Sequence, residues 1–219
     1  MHRVILSALF AATLLFPASS LAGGRAAASA VPKPLVTEGH AWVFDVTAQQ
    51  PDGTRASWVE RWTVITVEAV PGTGAKRIYI DIEKPEGGGE LPETTIELIL
   101  MGSALWDVYT LDRLRPPATL DVGRILSQRD PLVDFARVST TATVTRRGED
   151  PRKFVRFVSA PEATVRMGLT LRGVVEATRA RGETDSTETW WFDEKRGIAA
   201  IRSQLPVAGG GTVFTWVLR

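Results

Sequence analysis

From residue 40 onward apolar side chains recur at every second position, the spacing of half-buried β-strands and not of helices. HAWVFDVTA at 40–48 sets Trp42, Phe44 and Val46 on one face, since successive side chains of a strand point to opposite sides. QQPDGT then supplies Pro-Asp-Gly turn chemistry. ASWVERWTVITVEA brings the chain back with Trp58, Trp62 and Val64 on one side and Val59, Ile65 and Val67 on the other. RIYIDIE alternates Ile78, Ile80 and Ile82 against Tyr79 and Asp81, and TTIELIL and ALWDVYTL resume the pattern after the glycine-rich KPEGGGELPE.

The second half is as regular. FARVSTTATVTR and KFVRFVS precede ATVRMGLTLRGVVEATRA, in which Val165, Met167, Leu169, Leu171, Val175 and Ala177 share one face and Thr164, Arg166, Thr170, Arg172, Glu176 and Thr178 the other. A straight strand of that length is too long for a small domain, so bends are expected at Gly168 and Gly173. DSTETWWFD, IAAIRSQ and TVFTWVLR follow, joined by the turns EKRG and PVAGGG. Only residues 115–132, opening on Pro116-Pro117, depart from the pattern; they predict a long connection with a short helical turn at DVGRILSQ.

About ten strands and almost no helix predict an all-β fold, an antiparallel meander forming a curled sheet or open barrel. Strands 57–67 and 212–218 are apolar on both faces, which asks for cover on each side.

The start of the chain follows another rule. His2 and Arg3 precede an apolar run from Val4 to Phe16, and Ser20-Leu21-Ala22 resembles a cleavage site, so residues 1–22 read as a secretory signal peptide. The run is shorter than the about 20 apolar residues of a spanning helix, and no later segment approaches that length. Residues 23–38, beginning GGRAAASAVPKP, read as a flexible linker, and 39–219 as one β domain, the default at this size. The expected location is periplasmic or secreted. With no cysteine there is neither a disulfide framework nor a lipid-modified cysteine.

Loss of residues 1–22 removes Arg3 alone among charged groups, leaving 25 of the 26 basic residues against 25 acidic ones. A neutral chain gives no footing for nucleic acid, which needs a basic excess. His40 would be the one remaining histidine, read as a strand-edge residue, so a metal site would have to be built from carboxylates. No Gly-x-Ser-x-Gly elbow and no phosphate loop occurs. Catalysis would fall to carboxylate pairs such as Glu188 with Asp193 or Asp185, a hydrolase alternative. No cofactor is implied.

The tryptophans are the informative residues: seven, against two tyrosines. Indole offers a large flat face and one donor, suited to an apolar ligand or to a core. In TETWWFD the alternation gives Glu188, Trp190 and Phe192 one face and Thr187, Thr189, Trp191 and Asp193 the other; Trp190 is expected to pack with Phe192 in the core. Trp191, Trp58, Trp62 and Trp106 are the candidate ligand-binding residues.

PLVTEGHAWVFDV at 34–46 resembles the Pro-Leu…Gly-x-x-Trp-x-Phe/Tyr opening of exported bacterial β-proteins of unknown role. TETWWFDEKRGIAAIRSQ at 187–204 is similar to the penultimate hairpin of the lipoprotein-carrier (LolA/LolB-like) half-barrels, an aromatic strand ending in Asp and a short turn carrying Gly and an aliphatic residue, here Trp191, Asp193, Gly197 and Ile198. The resemblance implies a curled sheet whose concave face receives acyl chains or another apolar ligand. The chain departs from the carriers in lacking an evident N-terminal helix and in its connection at 115–132. The expected function is an exported domain holding a lipid or apolar molecule in a Trp-lined concavity. The alternative is an envelope protein-interaction module without a small ligand, and an outer-membrane barrel is a third reading.

Overall fold

The computed structural model describes residues 30–83, 94–108, 122–124, 131–138, 143–146, 154–160, 164–166, 168–171, 174–181, 186–205 and 211–219. The fold is all-β. The strands are β1 (Ala41–Gln49), β2 (Arg55–Ala69), β3 (Lys76–Glu83), β4 (Thr94–Met101), β5 (Ala104–Asp107), β6 (Val133–Asp134) and β7 (Thr143–Arg146). They continue as β8 (Phe154–Ala160), β9 (Thr164–Arg166), β10 (Leu169–Leu171), β11 (Val174–Arg181), β12 (Ser186–Asp193), β13 (Gly197–Leu205) and β14 (Thr212–Leu218). Twelve form one sheet in the order β6-β5-β4-β3-β2-β1-β14-β13-β12-β11-β8-β7, and β9 with β10 makes a separate hairpin.

This sheet is curled. Phe135, the residue after β6, meets Phe192 on β12 edge-to-face at 5.4 Å between ring centroids. Eight strand steps at about 4.8 Å each would hold them about 38 Å apart on a flat sheet. The curl turns one face inward around a core that includes Trp42, Phe44, Val46, Trp62, Val64, Ile78, Ile80, Leu98, Leu105, Phe135, Trp190, Phe192 and Ile201. At the start of the described chain Lys33–Val36 forms a 3-10 turn, inside the segment read as linker, with Pro34 and Leu35 buried.

Alternation breaks where the backbone adds or turns a residue, as it does on β2, on β13 opposite Trp191 and Phe192, and at Gly168. A bulge between Val64 and Thr66 in the β2–β3 ladder shifts the register, so Val67 packs with the core instead of opposing it. The outer face of β2 then needs no cover: Val59 is 37% and Ile65 50% exposed. The long strand read at 163–180 is three strands. At Gly168, φ +86°, the chain reverses rather than bends, and β10 pairs back on β9. Leu169 and Leu171 therefore join a second apolar cluster with Val174, while Val175 and Ala177 enter the main core.

Of the connection 115–132, residues 122–124 are helical, and Val122 packs with Ala75, Ile99 and Val108 on the outer face. The remainder up to 130 lies outside the described residues.

Candidate functional site

Register builds the concave face row by row. Trp58 stands opposite Val46, Val46 opposite Trp216, Trp216 opposite Ile201, Ile201 opposite Trp190 and Trp190 opposite Ala177. One rung thus runs across β2, β1, β14, β13, β12 and β11 with large and small side chains alternating, an arrangement that lets indoles lie over their smaller neighbours. Val46, Ile201, Ala177 and Trp190 are buried; Trp58 and Trp216 are half-buried. The next rung outward carries Ala56, Ala48, Phe214, Ser203, Glu188 and Arg179. It marks the mouth of the concavity: Ala48, Phe214, Ser203 and Glu188 are all partly exposed. Phe214 stacks on Trp216 with centroids 5.9 Å apart.

One row deeper lies Glu60, only 9% exposed. Its Oε1 accepts the indole N–H of Trp58 at 2.8 Å, and its Oε2 accepts those of Trp62 at 2.8 Å and Trp216 at 2.9 Å. Residues 58, 60 and 62 share a face because they are two apart on β2; Trp216 arrives from β14 across β1. The three indoles are therefore fixed by their edges on one acceptor. Trp62 also meets Trp216 at 6.3 Å, Phe44 at 5.1 Å and Trp190 at 6.4 Å. Trp190 stacks on Phe192, centroids 6.1 Å apart and planes 14° apart, the partnership expected from alternation. Its own Nε1–H is buried and has no acceptor, an exception to the pairing of buried donors.

Of the four tryptophans singled out by sequence, Trp58 and Trp62 meet in this cluster; the other two lie elsewhere. Trp191 is on the opposite face, 7% exposed, among Leu171, Val174, Ala199 and Ala200, with its Nε1–H donated to Glu176 at 3.0 Å. The reversal at Gly168 brings Leu169 and Leu171 over it. Trp106 packs against the outer cluster of Ala75, Ile99, Val108 and Val122. Sequence reasoning missed Trp190, Trp216 and Glu60 as members of the aromatic wall. The available signal for Glu60 was an acid at the centre of Trp-x-Glu-x-Trp, where alternation forces it inward with both indoles.

Among the described residues no group of three or more His, Asp or Glu side chains is placed to hold a metal ion. Glu188 and Asp193 are five residues apart on β12 and so face opposite ways; Asp193 is a turn residue whose Oδ1 accepts the N–H groups of Lys195 and Arg196, both at 2.9 Å. Asp185 lies outside the described residues. His40 lines a shallow cleft of about 430 Å³ with Lys33, Pro34, Thr37, Glu194 and Lys195; partial burial lowers its pKa. On the outer face Arg77 and Glu97 form a buried ion pair, with the Arg77 guanidinium 4.7 Å from the Tyr79 ring centroid. Desolvation, with the Glu97 carboxylate alongside, pushes the Tyr79 hydroxyl up to about 12. Among the described residues no helix is long and apolar enough to cross a membrane.

No family model matches the chain, and no curated protein does. Solved structures similar to it include a candidate lipoprotein from Parabacteroides distasonis ATCC 8503, 12% identical with a TM-score of 0.40, over 84% of this chain and 94% of that one. A candidate exported protein with a YmcC-like fold from Bacteroides fragilis NCTC 9343 is 9% identical with a TM-score of 0.37, over 87% and 97%. A LolA superfamily protein from Nitrosomonas europaea is 14% identical with a TM-score of 0.31, over 86% of each chain. The chemistry of the site rests on this chain's own residues.

Proposed function

We propose that this protein is an exported domain that binds a lipid or other apolar molecule on the concave face of its curled sheet. The observation that carries the reading is the rung of Trp58, Trp216 and Trp190, which spans six adjacent strands and is half-exposed toward the mouth at Trp58 and Trp216. Aromatic side chains left partly open at the rim of an apolar interior keep surface that a ligand would remove from water. The reading takes residues 1–22 as the leader that delivers the chain to the periplasm or exterior, and 39–219 as one binding domain. Its ligand contacts are Trp58, Trp216 and Phe214, with Trp62 behind them; Trp191 and Trp106 fall outside the site.

Native mass spectrometry and solvent extraction of protein purified from an envelope fraction, followed by titration with a fluorescent fatty acyl probe, test it. We expect a co-purifying apolar ligand or probe binding, and a loss of about tenfold in probe affinity in Trp58→Ala/Trp216→Ala as two large apolar contacts go. A folded protein that carries no ligand and binds no probe returns the role to the envelope interaction module.

A further inference from the structure

The concave face holds a carboxylate that no cation answers among the described residues. Glu60 accepts three N–H bonds and no ion pair, the bonding an ionised carboxylate takes up. Among the described residues the one buried cation is Arg77, which lies on the other face against Glu97. Among the described side chains Glu60 therefore leaves a buried negative charge on this face, and the indoles bonded to it have their N–H edges turned inward to the carboxylate.

We propose that this cluster is a subsite for the positively charged head of an amphiphile, an ammonium group, carried over the Trp58, Trp216 and Phe214 rings with Glu60 behind them. Ring faces attract a cation through their quadrupole. A carboxylate screened from water by three indoles attracts it further, because the local dielectric is low. An anionic head meets the same charge as repulsion. The inference rests on the apolar-ligand reading above and adds the sign of the head group to it.

The test compares three ligands of one chain length by tryptophan fluorescence, each below its micelle-forming concentration, on the intact protein: dodecyltrimethylammonium, dodecanol and dodecyl sulfate. We expect the ammonium to bind about tenfold more tightly than the alcohol, the scale of a partly desolvated cation–π contact, and the sulfate most weakly. In Glu60→Gln the ratios between the three affinities should fall toward one, whatever the common level to which they move as the amide gives up an acceptor to the indoles. Equal binding of ammonium and alcohol by the unaltered protein overturns the subsite and leaves the apolar-ligand reading intact. Binding of the ammonium without the alcohol overturns the apolar reading and leaves Glu60 in its role, while binding of none overturns both. The series is decisive in the unaltered protein, so misfolding of Glu60→Gln does not remove the test.

Discussion

Trp62 and Trp190 form a comparable pair: 3% and 5% exposed, 6.4 Å apart, and different in what their N–H groups meet. Trp62 donates to Glu60 at 2.8 Å; Trp190 donates to nothing. Shortening either to Phe removes similar volume. Only Trp62→Phe also breaks a hydrogen bond to a charged group, a contribution of about 1.5–3 kcal/mol, whereas Trp190→Phe deletes a donor that is buried without return. Urea unfolding should place Trp62→Phe below Trp190→Phe by about 1–3 kcal/mol. Equal losses would mean that the Glu60 bonds add nothing net to the fold. Alternation alone separated Trp190 from Trp191 correctly, since it needs only the strand's period. Where the N–H groups point was legible in the local spacing for Trp58 and Trp62, either side of Glu60 on β2, but not for Trp216, which reaches Glu60 from 156 positions away, nor for Trp191, whose acceptor Glu176 lies on β11.

At the scale of elements the β12–β13 turn shows how a short connection fixes its neighbours. Asp193 holds the turn through the Lys195 and Arg196 amides, and the Arg196 carbonyl accepts the Trp42 indole N–H at 2.6 Å. Gly197 then takes φ +78°, and a Cβ there would stand 3.0 Å from the Trp42 ring and 3.1 Å from Pro34 Cβ. Gly197→Ala therefore combines left-handed backbone strain with a contact that neither neighbour can relieve without moving the 3-10 turn. A loss of about 1–3 kcal/mol is expected from the backbone alone, seen as a lowered Tm in thermal unfolding followed by circular dichroism. A Tm equal to that of the parent would show that the turn gives way freely. The same scale explains what the chain's pattern conveyed. Strands β1 to β4 and β12 to β14 could be read because their alternation runs for most of each strand between clear turns. The β2 bulge and the reversal at Gly168 could not, because each changes face or direction by a single residue, and period two carries no mark for it.

For the whole molecule, curvature was argued from apolar residues on both faces of β2 and β14, and the structure supplies a different cause. The outer face of β2 is open at Val59 and Ile65; the curl is fixed from within, where Phe135 beside the β6 edge reaches Phe192 of β12. The concavity is thus lined by rungs that cross the sheet, and the aromatic face belongs to six strands at once rather than to one loop. This is why no local motif announced it.

The position of β14 has a consequence for the order of assembly. Strands β1 to β5 form a run of neighbours in sequence order, as do β11 to β14, so each group can zip through nearby hairpins. The two groups become one sheet only when β14 pairs with β1, closing contacts such as Arg219 with Asp45, 174 positions apart along the chain. Long loops must be closed before such contacts are rewarded, which makes the step slow. Pulse-labelled hydrogen exchange during refolding should find the amides bonded across the β1–β14 ladder protected last; early protection there would mean that the sheet grows outward from its middle. Until that ladder forms, β1 and β14 are bare edges open to other chains, and the protein's exposure to misassembly is set by how long the two wait for each other.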